Sequence, residues 1–192
     1  MNDQKMIAVI GDANLSEDSE KYILAEKLGS CLIDNGFQLI TGGLGGVMEA
    51  ASRGGTKSSN HRPGDIIGII PGNDPCEANS FLDISIPTGL DIGRNNVIIS
   101  NADAVIAIGG GAGTLSEMAN AWSLKRLIIG YRVEGWSGKL ADQKIDSRNR
   151  YPEIPEDRVY GVNTHDEVLG VLKLLPRYNR RHYNIHRQVS RS

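Results

Sequence analysis

Short apolar runs alternate along the chain with longer segments in which apolar residues recur every three or four positions. The short runs are rich in valine and isoleucine and are bounded by glycine, proline or charged residues, which is typical of buried strands. They predict strands at residues 5–11, 37–41, 65–71, 82–87, 103–108, 127–131 and 158–162. The longer segments have the period of amphipathic helices.

The first helix is predicted to begin at Ser16, because a serine followed by acidic residues is a good N-cap, and to stop at Gly36. A final helix is predicted from the N-cap Thr164 through residue 175. Between them, helices are predicted to begin at residue 47 and to cover residues 93–101 and 112–123; residues 135–156 are irregular and predict a loop with room for a short helix. Strands that are apolar throughout and separated by helices indicate a parallel sheet covered on both faces. The predicted fold class is therefore α/β, a single doubly wound, mainly parallel sheet of modified Rossmann type.

Length and composition narrow the class of protein. The 192 residues suit one domain, predicted to span residues 1–176, and 40% of the residues are hydrophobic. Apolar runs stay well below the roughly 18 residues of a membrane span, and the N-terminal apolar run is too short for a secretory signal, so we expect no membrane association. Cys31 and Cys76 lie far apart and imply neither a disulfide framework nor a zinc site, which favours the cytoplasm.

The C-terminal end is basic. Residues 168–192 contain six basic and no acidic residues, although the whole chain carries a net charge of −2. We expect residues 177–192 to form a flexible, solvated tail, and nucleic-acid binding is the less favoured alternative. His182 and His186 in this tail are four positions apart, but a third ligand is missing nearby, so we expect no metal site.

Glycine is abundant: 23 of the 192 residues, or 12%, are glycine, against an average of about 7%. Two clusters, 42–46 and 109–113, each follow a predicted strand and precede a predicted helix, so both lie at the edge of the sheet where α/β proteins bind ligands. A glycine-rich turn that leads into a helix offers free N–H groups to a phosphate, and tight turning or close packing is the alternative explanation. Neither cluster matches the dinucleotide or P-loop fingerprints. We select Gly42, Gly43, Gly45, Gly110, Gly111, Gly113 and Thr114 as candidate phosphate- or nucleotide-binding residues.

The segment from Thr114 to Glu117 has two interpretations. Its spacing matches a capping box, in which Thr114 caps the helix and Glu117 folds back to the N-cap N–H. A carboxylate in the first turn beside a phosphate-binding loop could also stabilise positive charge or orient water at a glycosidic carbon. The residues alone leave both open.

Three stretches, at 42–48, 68–72 and 109–117, resemble the LOG-like Rossmann family, part of the SLOG group and often mislabelled as lysine decarboxylases. The last stretch is similar to the family's P-G-G-x-G-T-x-x-E motif, and Arg94 stands upstream in the place of its arginine. The resemblance covers about residues 5–175. It implies cleavage of the N-glycosidic bond of a nucleoside 5′-monophosphate to free base and ribose 5-phosphate. Arg94 and Glu117 would be catalytic, the Gly110–Thr114 loop would hold the 5′-phosphate, cofactors would be unnecessary, and the protein would be a homodimer.

Two positions depart from that pattern. Gly109 replaces the motif's proline, and Asn95 follows Arg94 where the active enzymes have lysine. The stretch 88–96 instead resembles a sister group that includes molybdenum-cofactor carrier proteins, which bind a pterin monophosphate without converting it. The sequence thus leaves two main hypotheses, a phosphoribohydrolase and a non-catalytic carrier or sensor of a phosphate-bearing ligand. It does not identify the base or pterin.

Overall fold

The computed structural model describes residues 4–178, which form one seven-stranded sheet in the order β4-β3-β2-β1-β5-β6-β7. Each paired neighbour in this sheet is parallel. The strands are β1 (Met6–Gly11), β2 (Gln38–Thr41), β3 (Ile66–Ile70), β4 (Ile84–Pro87), β5 (Ala104–Ile108), β6 (Leu127–Tyr131) and β7 (Val159–Val162). The helices are α1 (Glu20–Asp34), α2 (Val47–Thr56), α3 (Asn95–Asn101), α4 (Ala112–Ser123), α5 (Trp136–Leu140), α6 (His165–Leu172) and α7 (Leu175–Tyr178), with short 3₁₀ turns at Pro75–Glu77 and Asp91–Arg94.

Apart from the edge strand β4, where Ile84 and Ile86 stay exposed, the strands bury side chains on both faces, which confirms the predicted fold class. On one face, Ile7 and Val9 belong to a core with residues of α1, α2, α6 and α7. On the other, Ala8 and Ile10 belong to a core with residues of α3, α4 and α5. Since neighbouring strand residues point to opposite faces, a strand covered on both sides must be apolar throughout.

The winding of the sheet reverses beside β1. Ile7 is paired with Leu39 of β2 on one side and with Ala104 of β5 on the other. The chain therefore builds β1 to β4 in one direction and then crosses back to add β5 to β7. In open α/β sheets, ligands bind at the carboxyl ends of the strands beside such a reversal.

Helix α1 begins three residues later than predicted. Its N-cap is Ser19, whose Oγ accepts the Tyr22 N–H at 3.4 Å, so the prediction that the helix starts at Ser16 is wrong. Ser16 instead closes the preceding turn, because its carbonyl accepts the Ser19 N–H at 3.1 Å. The predicted stop at Gly36 is confirmed by its φ of +78°, and Thr164 caps α6 as predicted.

Tyr178, the last described residue, is buried against the β7 side of the sheet. Its hydroxyl lies 2.8 Å from that of Tyr160 and donates to Asp157 at 3.0 Å. Asp157 also forms a buried ion pair with Arg150, with N–O distances of 2.6 and 2.8 Å. The predicted tail thus begins in an ordered helix at residues 177 and 178, and its remainder, including His182 and His186, lies outside the described residues. Within residues 4–178, every helix is too short or too polar to cross a bilayer.

Candidate functional site

A cavity of about 400 Å³ lies at the carboxyl ends of β1, β2 and β5, beside the reversal of the sheet. Its walls come from the loops after these strands, from α4 and from the Asp91–Arg94 turn. The predicted site residues in its lining are Gly42, Arg94, Gly111, Gly113, Thr114 and Glu117. Gly43, Gly45 and Gly110 are outside that lining.

The N-terminus of α4 forms one wall of this cavity. The N-cap is Gly111, no side chain caps the helix, and the Gly111 carbonyl accepts the Leu115 N–H at 3.0 Å. The N–H groups of Ala112, Gly113 and Thr114 precede the first helical hydrogen bond and so have no carbonyl partner within the helix. These donors, together with the helix dipole, favour an anion.

This geometry excludes the capping-box hypothesis for Thr114 and Glu117. Thr114 is the third residue of α4, not its N-cap, and Glu117 lies in the second turn. Both side chains are buried in the cavity wall. The capping pattern was ambiguous because it does not fix which residue starts the helix, and the glycines before Thr114 let the helix start earlier.

Glu117 and Arg94 form a buried, loosely spaced ion pair. The distance between Arg94 Nη1 and Glu117 Oε1 is 3.9 Å, and the two residues are 9% and 6% exposed. Burial raises the pKa of Glu117 to about 7, although the charge of Arg94 opposes that shift. Burial also lowers the pKa of Arg94, and Glu117 and Asp91 oppose that effect. Glu117 can therefore change its protonation near neutral pH.

Asn95 helps to hold the Arg94 guanidinium. Arg94 Nη1 donates to Asn95 Oδ1, and Nη2 donates to the Gly42 carbonyl at 3.4 Å. Arg94 Nε is buried and has no hydrogen-bond partner among the described residues. A buried N–H group without an acceptor destabilises the folded protein unless a ligand or a water molecule accepts its hydrogen bond.

The turn at Gly109 and Gly110 is fixed by the protein itself. Both residues are left-handed, with φ of +66° and +91°. The Gly109 N–H donates to Ser137 Oγ at 2.7 Å, and the Gly110 N–H donates to Asp12 Oδ2 at 3.0 Å. The backbone donor of Gly110, which the sequence suggests for a phosphate, is thus directed at Asp12.

The first glycine cluster is closely packed. Gly43 has a φ of +70°, and a Cβ placed on it would lie 2.2 Å from Ile70 Cδ1. A Cβ on Gly45 would lie 3.1 Å from the Ala13 carbonyl oxygen. These two glycines allow neighbouring loops to approach one another, whereas Gly42 reaches the cavity and contacts Arg94 through its carbonyl.

Sequence reasoning did not select Asp12 or Ser137 as site residues. Asp12 Oδ2 accepts from Lys21 Nζ at 2.8 Å as well as from Gly110, and the Asp12 carbonyl accepts the Val47 N–H at 2.9 Å. The available signal was an acidic residue directly after the glycine that ends β1. Ser137 lies in the irregular segment 135–156, where the sequence offered no signal.

Three comparisons place the chain among known proteins. The model of the SLOG cluster4 family matches residues 4–159. An uncharacterized protein of Archaeoglobus fulgidus is 41% identical over 116 residues, which are 60% of this chain and 72% of that protein.

Two solved structures share the fold over nearly their whole length. The molybdenum cofactor binding protein of Rippkaea orientalis is 28% identical, with a TM-score of 0.74, and the match covers 92% of this chain and 99% of that one. The molybdenum cofactor carrier protein of Chlamydomonas reinhardtii is 23% identical, with a TM-score of 0.71 and coverage of 91% and 99%. The second likeness is evidence of the fold alone.

Proposed function

This chain belongs to the SLOG cluster4 family, and from that premise we propose that it is a carrier or sensor of a phosphate-bearing heterocycle, with the pterin monophosphate of the molybdenum cofactor as the favoured cargo. The observation that carries the proposal is the open N-terminus of α4 beside the buried Arg94 in one cavity wall. The likeness of this chain to the molybdenum cofactor binding protein of Rippkaea orientalis supports the choice of cargo.

The phosphate of the ligand would bind at the start of α4. The N–H groups of Ala112, Gly113 and Thr114 supply hydrogen-bond donors there, and the Thr114 hydroxyl lies in the same wall. Arg94 adds a positive charge in the same wall. The heterocycle would then occupy the rest of the cavity, beside Met48 and Ile92.

Asn95 favours binding over hydrolysis. Departure of a base from a glycosidic carbon needs charge stabilisation at both the sugar and the leaving group. In the described cavity wall, Arg94 is the one cationic side chain, and its Nη1 is already held by Asn95. A neutral Asn95 supplies no second cation.

Hydrolysis of a nucleoside 5′-monophosphate is the second candidate, and Glu117 is the observation in its favour. A buried carboxyl with a pKa of about 7 beside an arginine is typical of acid–base groups in active sites. In that reaction, ionised Glu117 would stabilise the positive sugar carbon, with Arg94 oriented toward the phosphate.

One experiment separates the two candidates. The protein is incubated with a panel of nucleoside 5′-monophosphates while free base is followed by chromatography, and in parallel its melting temperature is measured with those nucleotides and with a pterin monophosphate. We expect phosphate-dependent stabilisation without base release, and loss of the stabilisation in Arg94→Ala. Base release that disappears in Glu117→Gln would make the protein a hydrolase. Absence of any phosphate-dependent stabilisation would refute the carrier proposal.

We also propose that the protein acts as a homodimer in the cytoplasm. Ile84, Ile86, Leu90 and Ile92 are each at least 42% exposed, and Ile92 lies at the cavity mouth. Exposed apolar side chains that cluster in this way mark interaction surfaces. The described cysteines, Cys31 and Cys76, are both free, which suits a reducing compartment. Sedimentation as a monomer at micromolar concentration would contradict the dimer.

A further inference from the structure

We propose that Asp12 restricts the cavity to ligands that carry a single phosphoryl group, and so excludes nucleoside diphosphates, triphosphates and pyrophosphate-linked cofactors. The inference rests on the proposed function, because it presupposes that a phosphate binds at the N-terminus of α4. It assigns a specificity-determining role to a residue that sequence reasoning did not select.

The backbone donors around the second glycine cluster are divided between the protein and the ligand. The Gly109 N–H is occupied by Ser137 Oγ, and the Gly110 N–H by Asp12 Oδ2. The N–H groups of the first turn of α4 stay open. A ligand therefore finds free N–H donors at the start of α4 but not at Gly109 or Gly110.

The free N–H groups at the start of α4 lie in the same cavity wall as a buried, positively charged side chain. Arg94 is 9% exposed, lines the same cavity and has a buried Nε without a partner among the described residues. Its guanidinium is held by Asn95 and Gly42, so it is already oriented before a ligand arrives. A fixed donor group of this kind binds an anion without the cost of ordering a long side chain.

The ion pair of Asp12 and Lys21 fills the space beside these free N–H groups. A Cβ placed on Gly109 would lie 2.2 Å from Asp12 Oδ2 and 2.9 Å from Lys21 Nζ, so this ion pair covers the turn. A second phosphoryl group that extends toward Gly109 would meet the Asp12 carboxylate.

Asp12 thus acts as an internal anion in the place of a second phosphoryl group. Two like charges a few ångströms apart repel each other where the protein limits their solvation. The repulsion is smaller for one phosphoryl group at the start of α4, because Arg94 lines the wall beside that group. The structure therefore predicts discrimination by phosphoryl number.

The test measures the dissociation constants of GMP and GDP, with EDTA present, by titration calorimetry for the full-length protein and for Asp12→Asn. Asparagine retains an oxygen that can accept the Gly110 N–H but removes the charge. We expect the parent to bind GDP at least about tenfold more weakly than GMP. In Asp12→Asn, the two nucleotides should bind within about threefold of each other, mainly through tighter binding of GDP.

Asp91→Asn is the matched control. It removes one negative charge from the same cavity wall, at a left-handed position that asparagine tolerates, and it leaves the glycine turn untouched. We expect it to preserve the preference for GMP.

Equal binding of both nucleotides by the parent, or an unchanged preference in Asp12→Asn, would overturn the role of Asp12 and leave the phosphate site intact. A relaxed preference in both variants would reduce the effect to general charge and would also overturn it. Failure of the parent to bind GMP, GDP, inorganic phosphate and pyrophosphate would refute the phosphate site itself.

Discussion

The two glycine clusters look alike in the sequence but differ in what approaches them. In the cluster at 42–46, a Cβ on Gly46 would lie 2.2 Å from the Asp12 carbonyl oxygen, and the N–H of Val47 donates to that same carbonyl. In the cluster at 109–113, Gly111 has nothing within 4 Å of its Cβ position, and Gly113 has one neighbouring atom, 3.9 Å away. The first cluster serves contacts within the protein, whereas the second ends in open space.

This difference teaches that a glycine run identifies close approach but not the approaching partner. The same strand–glycine–helix order produces a packed junction at α2 and an open helix terminus at α4. Asp12 contacts both junctions, the first through its main chain and the second through its carboxylate. Asp12 is distant from both clusters in the sequence.

The largest effect is expected from Gly46→Ala. Gly46 has φ of +62° and ψ of −129°, a conformation that alanine avoids, and the added methyl group would overlap the main chain of Asp12 and Ala13. We expect the free energy of unfolding to fall by about 3 kcal/mol or more, as measured by urea denaturation.

Gly45→Ala is the comparison for that experiment. Its Cβ position lies 3.1 Å from one carbonyl oxygen, and its φ is not left-handed, so a small adjustment accommodates the methyl group. We expect a loss below about 1 kcal/mol. Equal losses for Gly45→Ala and Gly46→Ala would show that the close approach at Gly46 contributes little.

The next largest effect is expected from the titration of Glu117, a buried carboxyl group in α4 beside the second glycine cluster. The pKa of Glu117 is raised from 4.5 to about 7 in the folded protein, so the native state binds its proton more tightly than the unfolded state. The stabilisation from this proton is complete below about pH 4.5 and is lost as the pH rises through about 7. The loss amounts to at most about 3 kcal/mol.

Glu117→Gln tests this pH dependence, because glutamine does not titrate. Urea denaturation of both proteins at pH 5, 6, 7 and 8 should show that the variant gains stability relative to the parent as the pH rises. A constant difference across this range would mean that the carboxyl titrates in the native state as it does in the unfolded chain.

The smallest effect on stability, and the sharpest contrast with Gly46, is expected from Gly113→Ala. Gly113 lies in the first turn of α4 with room for a methyl group, and alanine is the better helix former. We expect a gain of about 0.5–1 kcal/mol in the free energy of unfolding. The same methyl group should weaken GMP binding at least about tenfold, because it would stand between the phosphate and the helix N–H groups. Stabilisation with unchanged affinity would place the phosphate elsewhere.

Much of the fold could be predicted from the sequence, because buried parallel strands must be apolar throughout. The run at 103–108 and β5 differ by one residue, and the other strands agree with their predictions within two residues. The first residue of a helix was harder to predict. Ser16 and Ser19 are both serines followed by acidic residues, and only the turn that Ser16 closes decides between them.

The candidate site was predictable where a local motif or the family resemblance indicates it, and unpredictable where two distant positions contact each other. Gly111, Gly113, Thr114 and Glu117 are close in sequence and line one wall together. The contact of Asp12 with Gly110 spans 98 positions, and that of Ser137 with Gly109 spans 28. Local patterns carry no information on such pairs, so the occupied donors could be found only in the structure.

The reversal of the sheet beside β1 also sets the order in which the molecule can be completed. During synthesis, β1 to β4 leave the ribosome first and can pair with one another, whereas the partner on the other edge of β1 begins near residue 104. Closing so long a loop is slow, and the contact between Asp12 and Gly110 is made across the same boundary. The half of the protein that emerges first therefore lacks the start of α4, and under the proposed function a nascent chain would acquire affinity for a phosphate-bearing ligand only after the second half has joined the sheet.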